Sequence, residues 1–191
     1  MAERKFGAPR PATTVTVAGE DWSGRDISGQ THERVAFVDL DLTEVENTGA
    51  VFTECTFRGA RFNVSTHVDA AFVNCTFVNC DFFGARFTGC KLLGSMFDRC
   101  TYETMQVSGG EWSFVGMPGA DLRSASFAGV RMREADLTGA RCEGASIRDV
   151  DLPDAWPYRA RFSGCDLRGA IVTYEQALVI AVALGLDVRA E

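Results

Sequence analysis

Large apolar side chains recur at every fifth residue along most of this chain. Counting in fives from Trp22 to Val172 gives 31 positions without insertion or deletion, and 26 of them are Phe, Leu, Ile, Val, Met, Trp or Tyr. His32, Asn47, His67, Cys142 and Pro157 are the exceptions. A helix repeats near 3.6 residues and a strand at 2, so neither element produces this spacing. A second class runs two residues ahead of the first: from Ala50 to Ala170, 24 of 25 such residues are Ala, Cys, Ser, Gly or Val, with Met105 the outlier. Fourteen of the 19 glycines fall two residues after the large position, as Gly84 does, where a corner with positive φ would exclude most other residues. The remaining positions are mainly Asp, Arg, Thr, Ser and Glu.

Pentads such as "ADLRS", "ADLTG", "ARFTG", "CTFVN" and "CDLRG" resemble the pentapeptide-repeat family, whose loose consensus is A/C, D/N, L/F, any, any. The resemblance spans roughly residues 20 to 174. It implies an all-β solenoid: a right-handed quadrilateral β-helix of about eight coils, one pentad per side and four pentads per coil. A tube that closes in twenty residues has little interior volume, so large and small side chains must interdigitate to reach native density. Residues twenty apart then form vertical ladders at the strand spacing of about 4.8 Å. Phe37, Phe57, Phe77 and Phe97 make one ladder, Phe52 and Phe72 a second, and Phe62 and Phe82 a third.

Asn47 and His67 lie one coil apart in the inward class and read as a hydrogen-bonded core pair or a local kink. His32 sits near the N-terminal end, where coverage is incomplete. Six of the seven cysteines, Cys55, Cys75, Cys80, Cys90, Cys100 and Cys165, occupy the small inward class and Cys142 a large one, so all seven read as reduced core residues. Pro153 and Pro157 suggest a distorted coil, with Trp156 or Tyr158 covering the opening.

Both ends of a stack expose strand edges and need caps. "TYEQALVIAVALG" supplies one: Thr173 as N-cap, Gln176 at the capping-box position, and a stop at Gly185 predict a helix from about Tyr174 to Leu184. That helix is apolar nearly all round, with Ala177, Ile180, Ala181 and Leu184 on one side and Leu178, Val179, Val182 and Ala183 on the other. One side covers the last coil. The surplus, extended by Leu186 and Val188, predicts a homodimer interface of Leu178, Val179, Val182, Leu186 and Val188. Two tubes end to end would form a rod of roughly 75 Å. Residues 1–19, with Pro9 and Pro11, read as a flexible tail, residues 20–173 as the repeat domain and residues 174–191 as the helix and dimerisation segment.

The net charge of −7 opposes direct binding to nucleic acid or to an anionic membrane, and favours basic partners. With no apolar run long enough for a span or signal peptide, a cytoplasmic location is expected. No P-loop, nucleophile elbow, zinc spacing or dinucleotide turn is present, which predicts a non-enzyme without metal or cofactor. Between Glu20 and Glu54 nine acids, Glu20, Asp21, Asp26, Glu33, Asp39, Asp41, Glu44, Glu46 and Glu54, meet only Arg25 and Arg34. They form a candidate partner-binding surface. The C-terminal "VTYEQALVIAVALGL" and N-terminal "THERVAF" are similar to the actinobacterial, mycobacterial-type branch of fluoroquinolone-resistance proteins. That similarity implies a DNA mimic that binds DNA gyrase, with topoisomerase IV as a further target. B-DNA carries about one charge per 1.7 Å, so the mimicry is partial, and Arg123, Arg131, Arg133, Arg141 and Arg148 dilute it further along the tube. A scaffold for an unrelated protein partner is the competing expectation.

Overall fold

In the computed structural model, which describes residues 11–155 and 157–189, every β-pairing is parallel and joins residues twenty apart. A five-residue side and a twenty-residue coil follow directly. Within one coil Phe72, Phe77, Phe82 and Phe87 each centre one side, and these residues name the four faces below. The Phe77 face stacks β1 (Val15–Ala18), β3 (Val35–Val38), β6 (Thr56–Arg58), β9 (Thr76–Val78) and β11 (Met96–Asp98). The Phe87 face stacks β4 (Glu46–Thr48), β7 (Thr66–Val68), β10 (Arg86–Thr88), β12 (Gln106–Ser108), β13 (Ser126–Ala128) and β14 (Ser146–Arg148). The Phe72 face stacks β2 (Thr31–Glu33), β5 (Val51–Thr53) and β8 (Ala71–Val73). The Phe82 face is held by single bridges such as Asp41↔Arg61 and Arg61↔Asp81.

At twenty residues per turn, the paired span from Val15 to Ile171 makes seven complete turns and most of an eighth. It begins earlier than the boundary at residue 20 predicts, because Val17 still satisfies the five-residue register and β1 pairs with β3. Of the expected tail, residues 1–10 lie outside the described residues. Each coil bonds in both directions, as in Gly84 N–H to the Glu103 carbonyl and Arg86 N–H to the Ser65 carbonyl, both 2.9 Å. Corners take positive φ, and this holds even for the exposed Val64 (φ 57°) and Phe114 (φ 60°), where bulky side chains are rare.

All eight predicted ladder phenylalanines are buried, none more than 3% exposed. Their rings stack at the backbone spacing: Phe37–Phe57 at 4.9 Å, Phe57–Phe77 at 5.1 Å, Phe77–Phe97 at 4.7 Å, Phe52–Phe72 at 4.9 Å and Phe62–Phe82 at 4.8 Å. Rings on adjacent faces meet edge to face, as Phe77 and Phe82 do at 5.6 Å and 72°, the arrangement that aromatic quadrupoles favour.

The prolines leave the ladder intact, contrary to the distortion expected from them. Residues in the Pro153 position donate to a carboxylate two residues earlier, as Ser113 N–H does to Glu111. Residues in the Pro157 position donate to the next coil, as Met117 N–H does to Asp136, and beyond Pro157 no coil follows. Trp156 lies outside the described residues. Tyr158 does not cover the opening: it is 57% exposed.

Helix α1 (Tyr174–Ala183) closes the C-terminal end, with Thr173 and Gln176 forming the predicted capping box. Gln176 also has a second role. Its buried amide Nε2 donates to the carbonyls of Leu152 and Ala155, both at 2.7 Å, while its Oε1 accepts from Thr173 N–H. One side chain therefore satisfies acceptors of the final coil that no further coil can reach. Phe77→Ala, at the centre of the ring stack, is expected to lower unfolding free energy by about 3–5 kcal/mol in urea denaturation; a loss below about 1 kcal/mol would contradict the packed-ladder account.

Candidate interaction surface

All nine predicted acids lie on the outside of the tube. Glu20, Asp21, Asp26, Glu33, Asp39, Glu44 and Glu46 are exposed, and Asp41 and Glu54 are half-buried. The register spreads them around the perimeter. Asp21 bridges to Asp41 on the Phe82 face and Asp26 to Glu46 on the Phe87 face, while Glu33 and Glu54 belong to the Phe72 face and its corner. The result is an acidic belt around the first coils.

Several of these carboxylates also build the turns they sit in. Asp21 Oδ1 accepts from Ser23 N–H and Oγ, Asp26 Oδ1 from Ser28 N–H, and Asp41 Oδ1 from Thr43 N–H. The hydrogen bonds from Ser23 and Ser28 hold Asp21 and Asp26 below the usual carboxylate range. For Asp41 burial pulls upward, and the bonds from Thr43 and Arg61 outweigh it. Two of the nine are paired across coils, Asp41 with Arg61 and Glu54 with Arg34.

Toward the C-terminus inter-coil pairing dominates. Arg131 meets Glu111 at 2.9 Å, Arg133 meets Asp151 at 2.9 Å, Arg141 meets Asp121 at 3.3 Å and Arg148 pairs with Asp166, while Arg123 meets Asp121 within its own coil at 2.7 Å. All five arginines expected to dilute the acidic field therefore sit against an acid. Free acidity is concentrated at the N-terminal end.

At the other end, Gln176, Ile180 and Ala183 turn toward the tube. Val179, Val182, Leu186 and Val188 are exposed, at 38%, 60%, 61% and 43%, and Leu178 is half-buried. Leu178, Val179, Val182 and Val188 line a groove of about 610 Å³ against Tyr158 and Ala160. The Arg159 guanidinium lies over the Tyr158 ring at 5.3 Å.

Inside the tube the inferred Asn47–His67 pair is present. Asn47 Nδ2 donates to His67 Nδ1 at 2.9 Å, which leaves His67 Nε2–H to donate to Ser65 Oγ at 3.0 Å; Ser65 Oγ donates onward to the Phe62 carbonyl. The ring stacks on Phe87 at 4.8 Å and is fully buried. Burial pushes its pKa down to about 3, so it is a neutral structural group beyond the reach of a substrate.

Two family models match the chain. "Pentapeptide repeat region" aligns with residues 50–127 and "Pentapeptide repeats (8 copies)" with residues 119–152. The chain belongs to the pentapeptide-repeat family. Among solved pentapeptide-repeat structures, a trypsin-treated form of QnrB1, a plasmid-mediated fluoroquinolone resistance protein, shares 17% identity with a TM-score of 0.55, covering 93% of this chain and 100% of that one. Full-length QnrB1 aligns at 17% identity and TM-score 0.50, over 91% and 99% of the two chains. No curated protein matches the sequence. No helix among the described residues is long and apolar enough to cross a membrane.

Sequence reasoning missed four exposed apolar corner residues of this pentapeptide-repeat tube: Val64, Phe83, Leu93 and Phe114, exposed by 50%, 44%, 37% and 41%. Their place in the pentad, one or two residues after the large position, is the signal that would have marked them. The His67 network also has a pH consequence. Because the native pKa lies below the unfolded value of about 6.5, the unfolded chain takes up the proton first. Its contribution is complete above that pH and is lost as pH falls toward about 3. Urea unfolding between pH 7.5 and 5 should show stability falling by up to about 1.4 kcal/mol per pH unit, and the double variant Asn47→Leu/His67→Phe should flatten the slope to the smaller share of His32. An unchanged slope would remove His67 as its source.

Proposed function

We propose that this pentapeptide-repeat protein binds bacterial DNA gyrase as a partial DNA mimic, modulating supercoiling and protecting against quinolones or natural gyrase toxins, with topoisomerase IV as a second target. The observation that carries the reading is the belt of exposed acids around the N-terminal coils. A double helix likewise presents negative charge on every side of a cylinder, and a cationic DNA-binding channel accepts such a surface without base-specific contacts. The fold shared with QnrB1 supports the drug class, and the actinobacterial resemblance of the termini points the same way.

Two copies joined through Leu178, Val179, Val182, Leu186 and Val188 complete the rod, placing an acidic belt at each outer end. The exposed apolar side chains along α1 and the following segment support this arrangement. Val182→Asp with Leu186→Asp is expected to convert the dimer to monomer in sedimentation equilibrium; a wild-type protein that is monomeric at tens of micromolar removes the rod.

The exposed corners favour a second reading, a scaffold for a partner unrelated to DNA enzymes. Val64, Phe83, Leu93 and Phe114 lie beyond the belt, and apolar anchors of this kind carry binding energy that charge mimicry does not use. A supercoiling assay with gyrase, titrated with the protein with and without a fluoroquinolone, separates the two. Gyrase binding predicts altered supercoiling or drug-stabilised cleavage, weakened about thirtyfold by Glu44→Lys with Glu46→Lys if each reversed charge costs of order 1 kcal/mol. No effect at any concentration, together with a captured partner that DNA does not displace, would decide for the scaffold.

A further inference from the structure

The sides of the tube differ in how their outward charges are ordered. On the Phe82 face the column just before the large residue repeats every twenty residues from Asp21 to Arg161, and it reads acid, acid, arginine, acid, threonine, acid, arginine, arginine. This column complements an inverted copy of itself. Rotation by a half turn about an axis lying in the plane of the face, across the tube, reverses the coil order and leaves each column opposite itself. Asp21 then meets Arg161, Asp41 meets Arg141, Arg61 meets Asp121 and Asp81 meets Thr101, each pair occurring twice by symmetry. No like charges oppose one another along it.

The register is selective. A slip of one coil in one direction sets Asp41 against Asp121 and Asp81 against itself, and a slip in the other sets Arg61 against Arg141 and Asp81 against Asp121. The column just after the large residue fits the same arrangement: Thr43 faces Glu143, Asn63 faces Arg123, and the exposed Phe83 lies beside the axis. Asn63 Oδ1, Arg141 Nε and Glu143 Oε2, all on half-buried side chains of this face, have no hydrogen-bond partner within the chain. The side chains brought opposite supply what each lacks, a donor from Arg123, an acceptor from Asp41 and a donor from Thr43. The Phe87 face has no such order, since the same rotation sets Asp26 against Asp166.

We propose that a second copy of this chain docks antiparallel on the Phe82 face, with the Asp21 end of each copy over the Arg161 end of the other. Seven steps of about 4.8 Å make the contact about 34 Å tall, and three residues across make it about 10 Å wide. Each copy then covers about 340 Å², less than half the roughly 800 Å² per partner of a stable interface. Asp41 and Arg141 also keep neighbours in their own chain, Arg61 and Asp121. The pairing is therefore weak and salt-dependent: it forms at hundreds of micromolar and not at the tens of micromolar that report on the end-to-end dimer. The two contacts use different surfaces and can coexist. Asp39 and Glu46 lie off this face and stay open to another partner. The pairing does not rest on the proposed function.

The full chain carrying Val182→Asp and Leu186→Asp, which remove the end-to-end contact, isolates the lateral one. Sedimentation equilibrium at about 0.5 mM protein should show a dimer whose Kd rises about tenfold or more from about 20 to about 300 mM salt. Adding Arg141→Asp should weaken it by about tenfold again, because Asp41 then opposes a carboxylate at two symmetric places. Adding Asp41→Arg as well should restore the starting Kd to within about threefold. That rescue separates the proposal from an effect within one chain, where the charge introduced at position 41 repels Arg61 and the one at 141 repels Asp121, so the loss would deepen. Where the reversals lower the melting temperature, Phe83→Asp takes their place: it alters only an exposed corner, sets carboxylates together at the axis beside Glu103, and should leave monomer. A monomer at about 0.5 mM in about 20 mM salt, a dimer indifferent to salt and to Phe83→Asp, or a folded double reversal no tighter than the single one would overturn the proposal.

Discussion

The fold depends on an agreement between two distances. Stacked coils repeat at the strand spacing of about 4.8 Å, and phenylalanine rings piled on one another in this tube repeat at 4.7–5.1 Å. A phenylalanine every twenty residues can thus sit directly over the previous one without stretching the backbone ladder or leaving a gap. Four such columns would overfill the tube, which is why each large residue is partnered by a small one. Where one class changes, the other follows. In the turn where Met105 occupies a small position, the neighbouring large position is only Val107 and the next small position is Gly110, whose added Cβ would collide with the Cys90 carbonyl. Trp112, the largest core residue, sits beside that space and meets Phe87 and Phe127 edge to face.

The same confinement sets the chemistry of the interior. A small inward residue lies close to the carbonyl of the large residue in the preceding coil, and a short donor there can use it. Cys75 Sγ approaches the Phe52 carbonyl at 3.3 Å, Cys90 Sγ the His67 carbonyl at 3.3 Å, and Ser95 Oγ the Phe72 carbonyl at 2.7 Å. Cysteine therefore combines small volume, apolar character and a weak donor, which gives it a packing role. Burial pushes the Cys90 thiol up to about 11 and Cys142 up to about 12, so neither is a nucleophile at neutral pH. A tube filled by packed side chains, with a neutral histidine sealed inside, leaves its outer surface for contact with other molecules.

Legibility tracked this division. Phe37 to Phe97, the glycine corners, the Asn47–His67 pair and the Thr173–Gln176 cap could all be read from spacing, because each is enforced by a repeating steric requirement. What spacing concealed was two-sided. Gln176 was legible as a capping residue but not as the donor closing two carbonyls of the last coil, since that bond depends on how the helix lies across the tube. The prolines were read as a distortion because their chemistry was considered without the direction in which each N–H would point. The start of the tube lies before the boundary expected from sequence because the first pentads carry the corner glycines but not the small inward residues, with Glu20, Arg25 and Gln30 at those positions.

Acidity needs the same care, since a carboxylate before the large residue is often there for the backbone. Asp21, Asp26, Asp41, Asp81, Asp121, Asp136 and Asp166 each accept the N–H of the residue two positions on, closing a turn that every coil must make. Much of the negative charge in this sequence would therefore be present in a pentapeptide tube with no interest in DNA-binding enzymes. The informative acids are those that the turn does not require. Among the nine acids of the belt Asp39, Glu44 and Glu46 have neither a turn to cap nor an arginine to meet, and all three are exposed in the first coils. An exposed, unpaired charge adds self-repulsion without structural return. The reading of the belt as a partner surface thus rests on these three residues far more than on the net charge of the chain.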